Sequence, residues 1–302
     1  MPAADLEAQS VTVGGAANRR PPRTRLFSWL GVLPFFLFST AFLIGPAVIL
    51  VYRSLENPEG GLTFQFWGQL TSDPVMRAYG MSVRISLTTA LVGGIFGFLL
   101  AWAVSLGALP RAVRSALSTF SGVAANFAGV PLAAAFIFTL GRVGVVTALF
   151  EWLGFDLYGS GFSLYSFWGL VVVYLYFQFP LMVLVILPAI DGLRKEWREA
   201  AENLGATPGQ YWRKVALPVL MPSILGTMIL LFGNAFGAHA TAYALTGGLL
   251  PLATLLIGQQ ISGDVLNNPG LGYAVAVGMV MIMAIAIGIY SVLQRRSERW
   301  LG

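Results

Sequence analysis

The sequence contains no cysteine, and histidine occurs only once, at position 239. The absence of cysteine excludes disulfide bonds, cysteine-ligated zinc and a cysteine nucleophile. A single histidine also excludes a metal site built from several histidines. We therefore predict that the chain holds no metal.

Charged residues are scarce as well. They make up 10% of the 302 residues, whereas a soluble globular domain carries about 25%. Hydrophobic residues make up 57%, and the mean hydropathy is +0.75. The chain has too few charges to cover a water-facing surface, which predicts a membrane protein.

Only two lysines are present, and neither belongs to a nucleotide-binding loop. Lys195 is followed by Glu196 and Lys214 by Val215, whereas a P-loop needs Gly-Lys followed by Ser or Thr. We predict no cofactor in this chain. If ATP drives any process here, the ATP and its Mg²⁺ bind to a partner chain.

Six apolar runs are long enough to cross a bilayer, whose core of about 30 Å needs roughly 20 apolar residues in a helix. Backbone polar groups cannot stay unpaired in lipid, so each run is predicted to be a helix. The predicted fold is therefore all-α, a polytopic membrane protein with six transmembrane helices. The runs are residues 29–52, 83–107, 119–140, 166–190, 217–237 and 272–293.

Arginine and lysine are unevenly distributed between the connecting segments. With the N-terminus in the cytoplasm, 14 of the 18 fall inside and 4 outside. Because cytoplasmic loops carry the excess of positive charge, both termini are predicted to be cytoplasmic, and the net charge of +5 reflects topology rather than nucleic-acid binding. The predicted organisation is a disordered tail at 1–28, a transmembrane domain at 29–294 and a C-terminal tail at 295–302.

The inside loop at 191–216 is the most charged segment. Within it, five apolar residues fall at helical spacing opposite a charged face, which is also the pattern of an ordinary amphipathic helix on a membrane surface. Gly205 is predicted to follow that helix in the left-handed conformation. The five apolar residues are Leu193, Trp197, Ala200, Ala201 and Leu204.

The same loop matches a signature of known spacing. Glu199-Ala200-Ala201 is followed after three residues by Gly205, and after nine more by Val215-Ala216-Leu217-Pro218. This resembles the EAA signature of binding-protein-dependent ABC importer permeases, and the likeness covers roughly residues 30–300. The resemblance implies a cytoplasmic coupling helix through which a separate ATPase drives the membrane subunit. The coupling residues that it implies are Glu199, Ala200, Ala201, Gly205, Leu217 and Pro218.

The resemblance also implies an assembly in the bacterial inner membrane. Its membrane core would be five helices preceded by one extra helix, surrounded by lipid. Its partners would be an ABC ATPase dimer, a second permease chain and a substrate-binding protein outside. The chain itself would not be an enzyme, because ATP is hydrolysed in the partner. Residues 232–248 resemble the spermidine/putrescine and ferric-iron branches, which implies a polyamine or a similar small solute, with ferric iron, an organophosphonate, thiamine and sulfate as the alternatives.

Polar residues within the apolar runs are candidates for the translocation path, because polar groups at that depth favour a cavity or a protein contact. The alternative for each is a hydrogen bond between helices. His239 and Tyr243 are expected to share a face near the outer gate, with Asn234 deeper and a bend near Gly237. The candidates are Asn126, Gln178, Asn234, His239 and Tyr243.

Two other functions are open at this point. One is a secondary carrier or channel that works without ATP, and the other is a membrane scaffold that transports nothing. Proton- and sodium-coupled carriers usually place carboxylates within the membrane. All 13 acidic residues of this chain lie in predicted loops or at the ends of runs, which argues against a carrier.

Overall fold

The computed structural model describes residues 23–57, 60–107, 110–262 and 268–298, and the side chains within 31–295 of these ranges. Fourteen α-helices are found in these ranges, with π turns at Thr40–Ile44 and Trp212–Ala216 and a 3₁₀ turn at Gln69–Thr71. The helices are α1 (Arg23–Ser39), α2 (Gly45–Ser54), α3 (Gln65–Gly68), α4 (Asp73–Leu106), α5 (Arg111–Asn126), α6 (Val130–Leu140), α7 (Val145–Trp152), α8 (Phe167–Asp191), α9 (Lys195–Asn203), α10 (Pro208–Tyr211), α11 (Leu217–Gly237), α12 (Ala240–Thr246), α13 (Ala253–Ser262) and α14 (Pro269–Glu298).

The prediction of an all-helical chain with six spans is confirmed. Six helical segments of the described residues are long and apolar enough to cross a membrane. Apart from one isolated bridge between Glu56 and Leu62, the described residues form no β-pairing. The six segments are Gly31–Ser54, Asp73–Leu106, Val130–Trp152, Phe167–Asp191, Pro208–Gly237 and Pro269–Arg295.

The chain divides into two units, residues 1–49 and 50–302. In the first unit, α1 begins at Arg23, so it includes the last residues of the tail predicted at 1–28, and residues 1–22 lie outside the described part. Apolar side chains of this unit are exposed, as in Phe35 and Phe38 of α1 and Phe42 of the π turn that follows it. A helix that is apolar on its open surface fits a lipid environment.

Two π turns each precede a proline by two residues. In a π turn the N–H of a residue bonds to the carbonyl five positions earlier: Gly45 donates to Thr40, and Leu217 donates to Trp212. A proline inside an ordinary helix clashes with the carbonyl four residues before it. The wider turn loosens that contact, so the helix continues through Pro46 and Pro218.

In the second unit, α8 is the central helix and packs against α4, α5 and α11. Close approach of α4 to α8 depends on two glycines one turn apart. A Cβ on Gly93 would lie 2.8 Å from the Cβ of Gln178, and a Cβ on Gly97 would lie 2.6 Å from the Cβ of Met182. The pair therefore serves packing, as small-residue pairs do between membrane helices.

We expect Gly97→Ala to destabilise the folded chain by about 1–3 kcal/mol, the usual cost of overpacking a core. Gly122→Ala is the matched control, because no atom lies within 4 Å of the Cβ that it adds to α5. Thermal unfolding in detergent measures the difference. Equal midpoints for the two variants would contradict the close contact between α4 and α8.

Candidate coupling surface and transport path

Helix α9 ends in the way predicted for Gly205. The N–H of Gly205 bonds to the carbonyl of Glu202 at 2.9 Å, and the N–H of Ala206 bonds to that of Ala201 at 2.9 Å. These two bonds make a Schellman motif, in which the residue after the cap is left-handed. Gly205 has φ +76° with no atom within 4 Å of its missing Cβ, so backbone conformation alone requires glycine there.

The next helix starts only three residues later, through a capping box that the sequence analysis missed. The Thr207 hydroxyl accepts from the N–H of Gln210 at 3.3 Å, and the Gln210 side chain accepts from the N–H of Thr207 at 2.8 Å. Such reciprocal bonds satisfy two free donors at a helix start. The T-x-x-Q pattern with Pro208 in the first turn was the signal available for it.

The surface of α9 is open to solvent rather than packed on the rest of the chain. All nine of its residues are exposed or half-buried. Leu204, at the end of the predicted apolar stripe, is 88% exposed, and Trp197 is 38% exposed. Glu199 is exposed and has no ion pair among the described residues. Leu193, at the other end of the stripe, packs against the hydrophobic core. The uncovered part of the stripe is therefore Trp197, Ala200 and Leu204, and an apolar patch left open in this way is a surface for another protein.

One ion pair on α9 points away from that stripe. Arg198 Nε donates to Glu202 Oε1 at 2.9 Å, and this hydrogen bond raises the pKa of Arg198. Residues 198 and 202 are one turn apart on the helix, where opposite charges support the helical conformation slightly. The pair therefore supports the helix and leaves Glu199, on a different face, available.

Leu217 and Pro218 do not join Glu199 on the open helix. The structure places them inside a helix that runs continuously from Pro208 to Gly237, and both are half-buried. Pro218 was expected in the first turn of its span; it lies ten residues in, just after the π turn. Leu217 and Pro218 therefore shape the helix that follows the loop, whereas Glu199 and Ala200 lie on the exposed surface of α9.

Two membrane helices are interrupted, and the interruptions meet. The third predicted run, 119–140, is broken between α5 and α6 around Gly129. A second break, around Ala238, separates α11 from α12 just after the end of the fifth predicted run at 237. The N–H of Gly129 donates to the Thr241 hydroxyl at 2.7 Å, and the Tyr174 hydroxyl donates to the carbonyl of Ala238 at 2.9 Å. Irregular backbone at membrane depth occurs where protein or a water-filled cavity satisfies it.

Four of the five path candidates lie beside these interruptions. Asn126 is the last residue of α5, and Asn234 lies one turn before the end of α11; both are exposed. His239 and Tyr243 are also exposed, and their rings stack with centroids 5.8 Å apart. The expectation that these two rings share a face, with a bend near Gly237, agrees with the structure.

The histidine has a defined tautomer. Its Nδ1 lies 3.1 Å from the carbonyl oxygen of Thr254 at the start of α13. Because a carbonyl oxygen only accepts, Nδ1 donates this hydrogen bond, and in the neutral ring Nε2 is then the acceptor. His239 therefore links the broken helix to α13 while presenting one nitrogen outward.

Gln178 is not placed with the other candidates. It is fully buried, and its Nε2 donates to the carbonyl of Leu231 at 2.9 Å and to the Thr89 hydroxyl at 3.4 Å. The side chain thus ties α8 to α11 and α4. Gln178 therefore forms hydrogen bonds between helices and does not line the path.

The chain was compared with known proteins. Residues 93–299 match the family model described as the binding-protein-dependent transport system inner membrane component. The chain belongs to this family. It is therefore a permease subunit of an ABC importer, a transport component and not itself an enzyme, and the alternatives of a carrier, a channel or a scaffold are set aside.

Relatives with curated names include the sulfate transport system permease protein CysT of Escherichia coli, 28% identical over 229 residues, which span 72% of this chain and 77% of the relative. The protein of the same name from Synechococcus elongatus is 24% identical and covers 91% of this chain and 97% of the relative. These names give no support to the polyamine branch expected from residues 232–248.

Solved structures share the fold. A bacterial ABC transporter that imports the acidic polysaccharide alginate aligns over 91% of this chain and 96% of its own with a TM-score of 0.71 at 19% identity. The MetNI methionine ABC transporter, in an inward-facing conformation, covers 75% of this chain and 99% of its own with a TM-score of 0.51, also at 19% identity. The importer fold of a multi-pass membrane protein is thereby established.

Proposed function

We propose that this chain is the permease subunit of a bacterial ABC importer for sulfate or a closely similar oxyanion. The observation that carries the coupling role is α9, a short capped helix whose apolar stripe is left open by its own chain. An ATPase subunit seated on that helix would cover the stripe and Glu199. The proposed assembly holds an ATPase dimer that binds ATP and Mg²⁺, a second permease and an external binding protein.

The choice of an oxyanion has support beyond the relatives' names. Within the six spans of the described residues, carboxylates occur only at helix ends, as in Asp73 and Asp191. A polyamine carries several positive charges and would be held best by carboxylates. A path without carboxylates avoids repelling a divalent anion, and the start of α6 at the helix interruption adds a partial positive charge.

The transport cycle follows from this arrangement. Closure of the ATPase dimer on ATP draws the two coupling helices together, and the spans that follow them move as rigid bodies. Because α10 and α11 form one continuous helix from Pro208 to Gly237, a displacement at the loop reaches the interruption near Ala238. The path then opens outward and receives the anion from the binding protein.

The substrate is tested by uptake into proteoliposomes that contain the complete importer with its binding protein. We expect ATP-dependent accumulation of radiolabelled sulfate that excess thiosulfate or molybdate reduces and excess spermidine does not. Accumulation of labelled spermidine with no sulfate uptake would contradict the oxyanion proposal and leave the permease role intact.

The orientation is also a proposal, and the cysteine-free sequence allows a clean test. In the variant Glu202→Cys, a membrane-impermeant maleimide is expected to label inverted vesicles and not intact cells, since α9 is proposed to be cytoplasmic. Val143→Cys, at a fully exposed position in the loop before α7, should give the reverse. Labelling of position 202 in intact cells would reverse the topology.

His239 and Tyr243 are proposed to line the path near its outer end. His239→Ala and Tyr243→Ala are each expected to lower the maximal uptake rate about fivefold, the equivalent of one lost hydrogen bond of about 1 kcal/mol. Leu249→Ala, at a 76% exposed position beyond α12, serves as control. Unchanged sulfate kinetics in both variants would assign the two rings to packing.

A further inference from the structure

A pocket lies behind the coupling helix, on the side away from its open stripe. It has a volume of about 660 Å³ and lies between the end of α4 and the α9–α10 segment. Most of its wall is apolar or aromatic. Residues on this wall include Leu99, Trp102, Leu106, Tyr211, Trp212 and Arg213.

The pocket adjoins a face of α4 that the second unit, residues 50–302, leaves open. Leu91, Ile95, Leu99 and Leu106 recur at helical spacing on that face, and each is between 43% and 52% exposed. An open apolar face on a membrane helix is where lipid tails lie. Trp102 falls on the same face one turn before α4 ends, at the level where tryptophan marks the membrane–water interface. Two residues of that face, Leu99 and Leu106, also border the pocket.

The polar groups at the pocket have unmet requirements. The Nε1–H of Trp102 is buried and has no hydrogen-bond acceptor among the described residues. Arg213 is exposed and forms no ion pair within the described part of the chain, whereas Arg198 is already paired with Glu202. A buried donor without an acceptor costs about 1–3 kcal/mol. The pocket thus offers one free donor and one net positive charge beside an apolar wall.

We propose that this pocket binds an anionic phospholipid of the adjoining leaflet. Its acyl chain would lie along Ile95 and Leu99, and its headgroup phosphate would accept from Trp102 Nε1 and from Arg213. Because Arg198 and Glu202 of α9 also border the pocket, the bound lipid would steady the coupling helix from behind. That last consequence rests on the proposed function, whereas lipid binding itself does not.

Binding is tested on the permease complex in nanodiscs that contain phosphatidylcholine and a trace of phosphatidylglycerol with a photoreactive acyl chain. Peptide mapping is expected to find the label on residues 98–106 and 208–217. Excess unlabelled phosphatidylglycerol should compete, and excess phosphatidylcholine should not. Arg213→Gln is expected to reduce labelling about fivefold, the effect of one basic residue at an anionic lipid surface.

The neighbouring residue supplies a matched control. Lys214→Gln removes the same charge one position further along, and Lys214 does not border the pocket. Equal loss of labelling in Arg213→Gln and Lys214→Gln would overturn the proposal, because the effect would then be general surface charge. Trp102→Phe removes the N–H donor and keeps an aromatic ring, and it should weaken labelling. Thermal unfolding serves as the control that this variant is still folded.

The bound ATPase gives a further test of the lipid site. Labelling that disappears once the ATPase is bound would assign the pocket to a protein contact and overturn the lipid site.

The consequence for coupling is tested by uptake. In the intact importer, ATP-driven sulfate uptake should rise with the phosphatidylglycerol fraction for the parent and for Lys214→Gln, and much less for Arg213→Gln. A lipid that binds without affecting uptake would overturn only the coupling consequence. Failure of sulfate transport with labelling intact would count against the proposed substrate alone.

Discussion

A permease that carries Gly205→Val is expected to lose about tenfold or more in sulfate uptake while it still inserts into the membrane. A side chain in the left-handed conformation costs about 1–2 kcal/mol, and more when it is β-branched. Gly205 needs that conformation at φ +76°. The end of α9 would therefore unravel or shift, and the surface offered to the ATPase would change.

Gly209→Ala is the control for this variant. Gly209 lies in the same exposed segment with no atom within 4 Å of its missing Cβ, and its φ is not positive. Uptake should therefore stay near the parent value. The measurements are uptake and ATP hydrolysis by the reconstituted importer, with co-purification of the ATPase as a third. Normal uptake by Gly205→Val would show that the end of α9 is not part of the surface that contacts the ATPase.

Glu199→Lys tests the charge on the same surface. Its reversal places a positive charge at an exposed position that has no partner within the described chain, so folding should be unaffected. Reversing one charge at a protein interface typically changes binding by several kcal/mol, about 2–5 when the contact is desolvated. We expect loss of ATPase binding or uncoupled hydrolysis, with Glu199→Gln intermediate. Full coupling in Glu199→Lys would place the ATPase contact elsewhere on the loop.

The number of spans could be predicted from the sequence because length and hydropathy determine them locally. The third was misplaced, at 119–140, whereas the candidate span in the structure is Val130–Trp152. The end of α9 could also be predicted, since Gly205 follows a short periodic stretch. The start of the fifth helix was placed late, at residue 217 rather than Pro208. Residues 191–216 were all assigned to a loop, whereas the Thr207–Gln210 capping box begins a helix within it.

The positions of the helix interruptions were harder to predict from the sequence than the spans. A bend near Gly237 was expected, but the break at Gly129 lies within an apolar run that matches a continuous span. Its free backbone N–H is satisfied by Thr241, 112 residues away in the sequence, and no local pattern reports such a partner. The burial of Gln178 was open for the same reason, because it depends on contacts with α4 and α11.

The tie between the two interruptions should control how movement at the loop reaches the path. Thr241 is buried and supplies the only hydroxyl that accepts from Gly129 in the described structure. In Thr241→Val the size is kept and the acceptor is lost, so a backbone donor in the membrane interior is left unpaired. Such a group costs about 1–3 kcal/mol, and we expect sulfate uptake to fall about tenfold.

Thr246→Val separates this effect from the loss of any buried hydroxyl. Thr246 is also buried in α12, but its hydroxyl donates to the carbonyl of Ala242 within the same helix at 2.8 Å. Its replacement should leave uptake within about twofold, since hydrogen bonds between a threonine and its own helix contribute little. ATPase binding should be normal in both variants, because neither site is near α9. Equal uptake by Thr241→Val and Thr246→Val would contradict the prediction. It would show that the hydrogen bond between Gly129 and Thr241 does not transmit movement from the loop to the path.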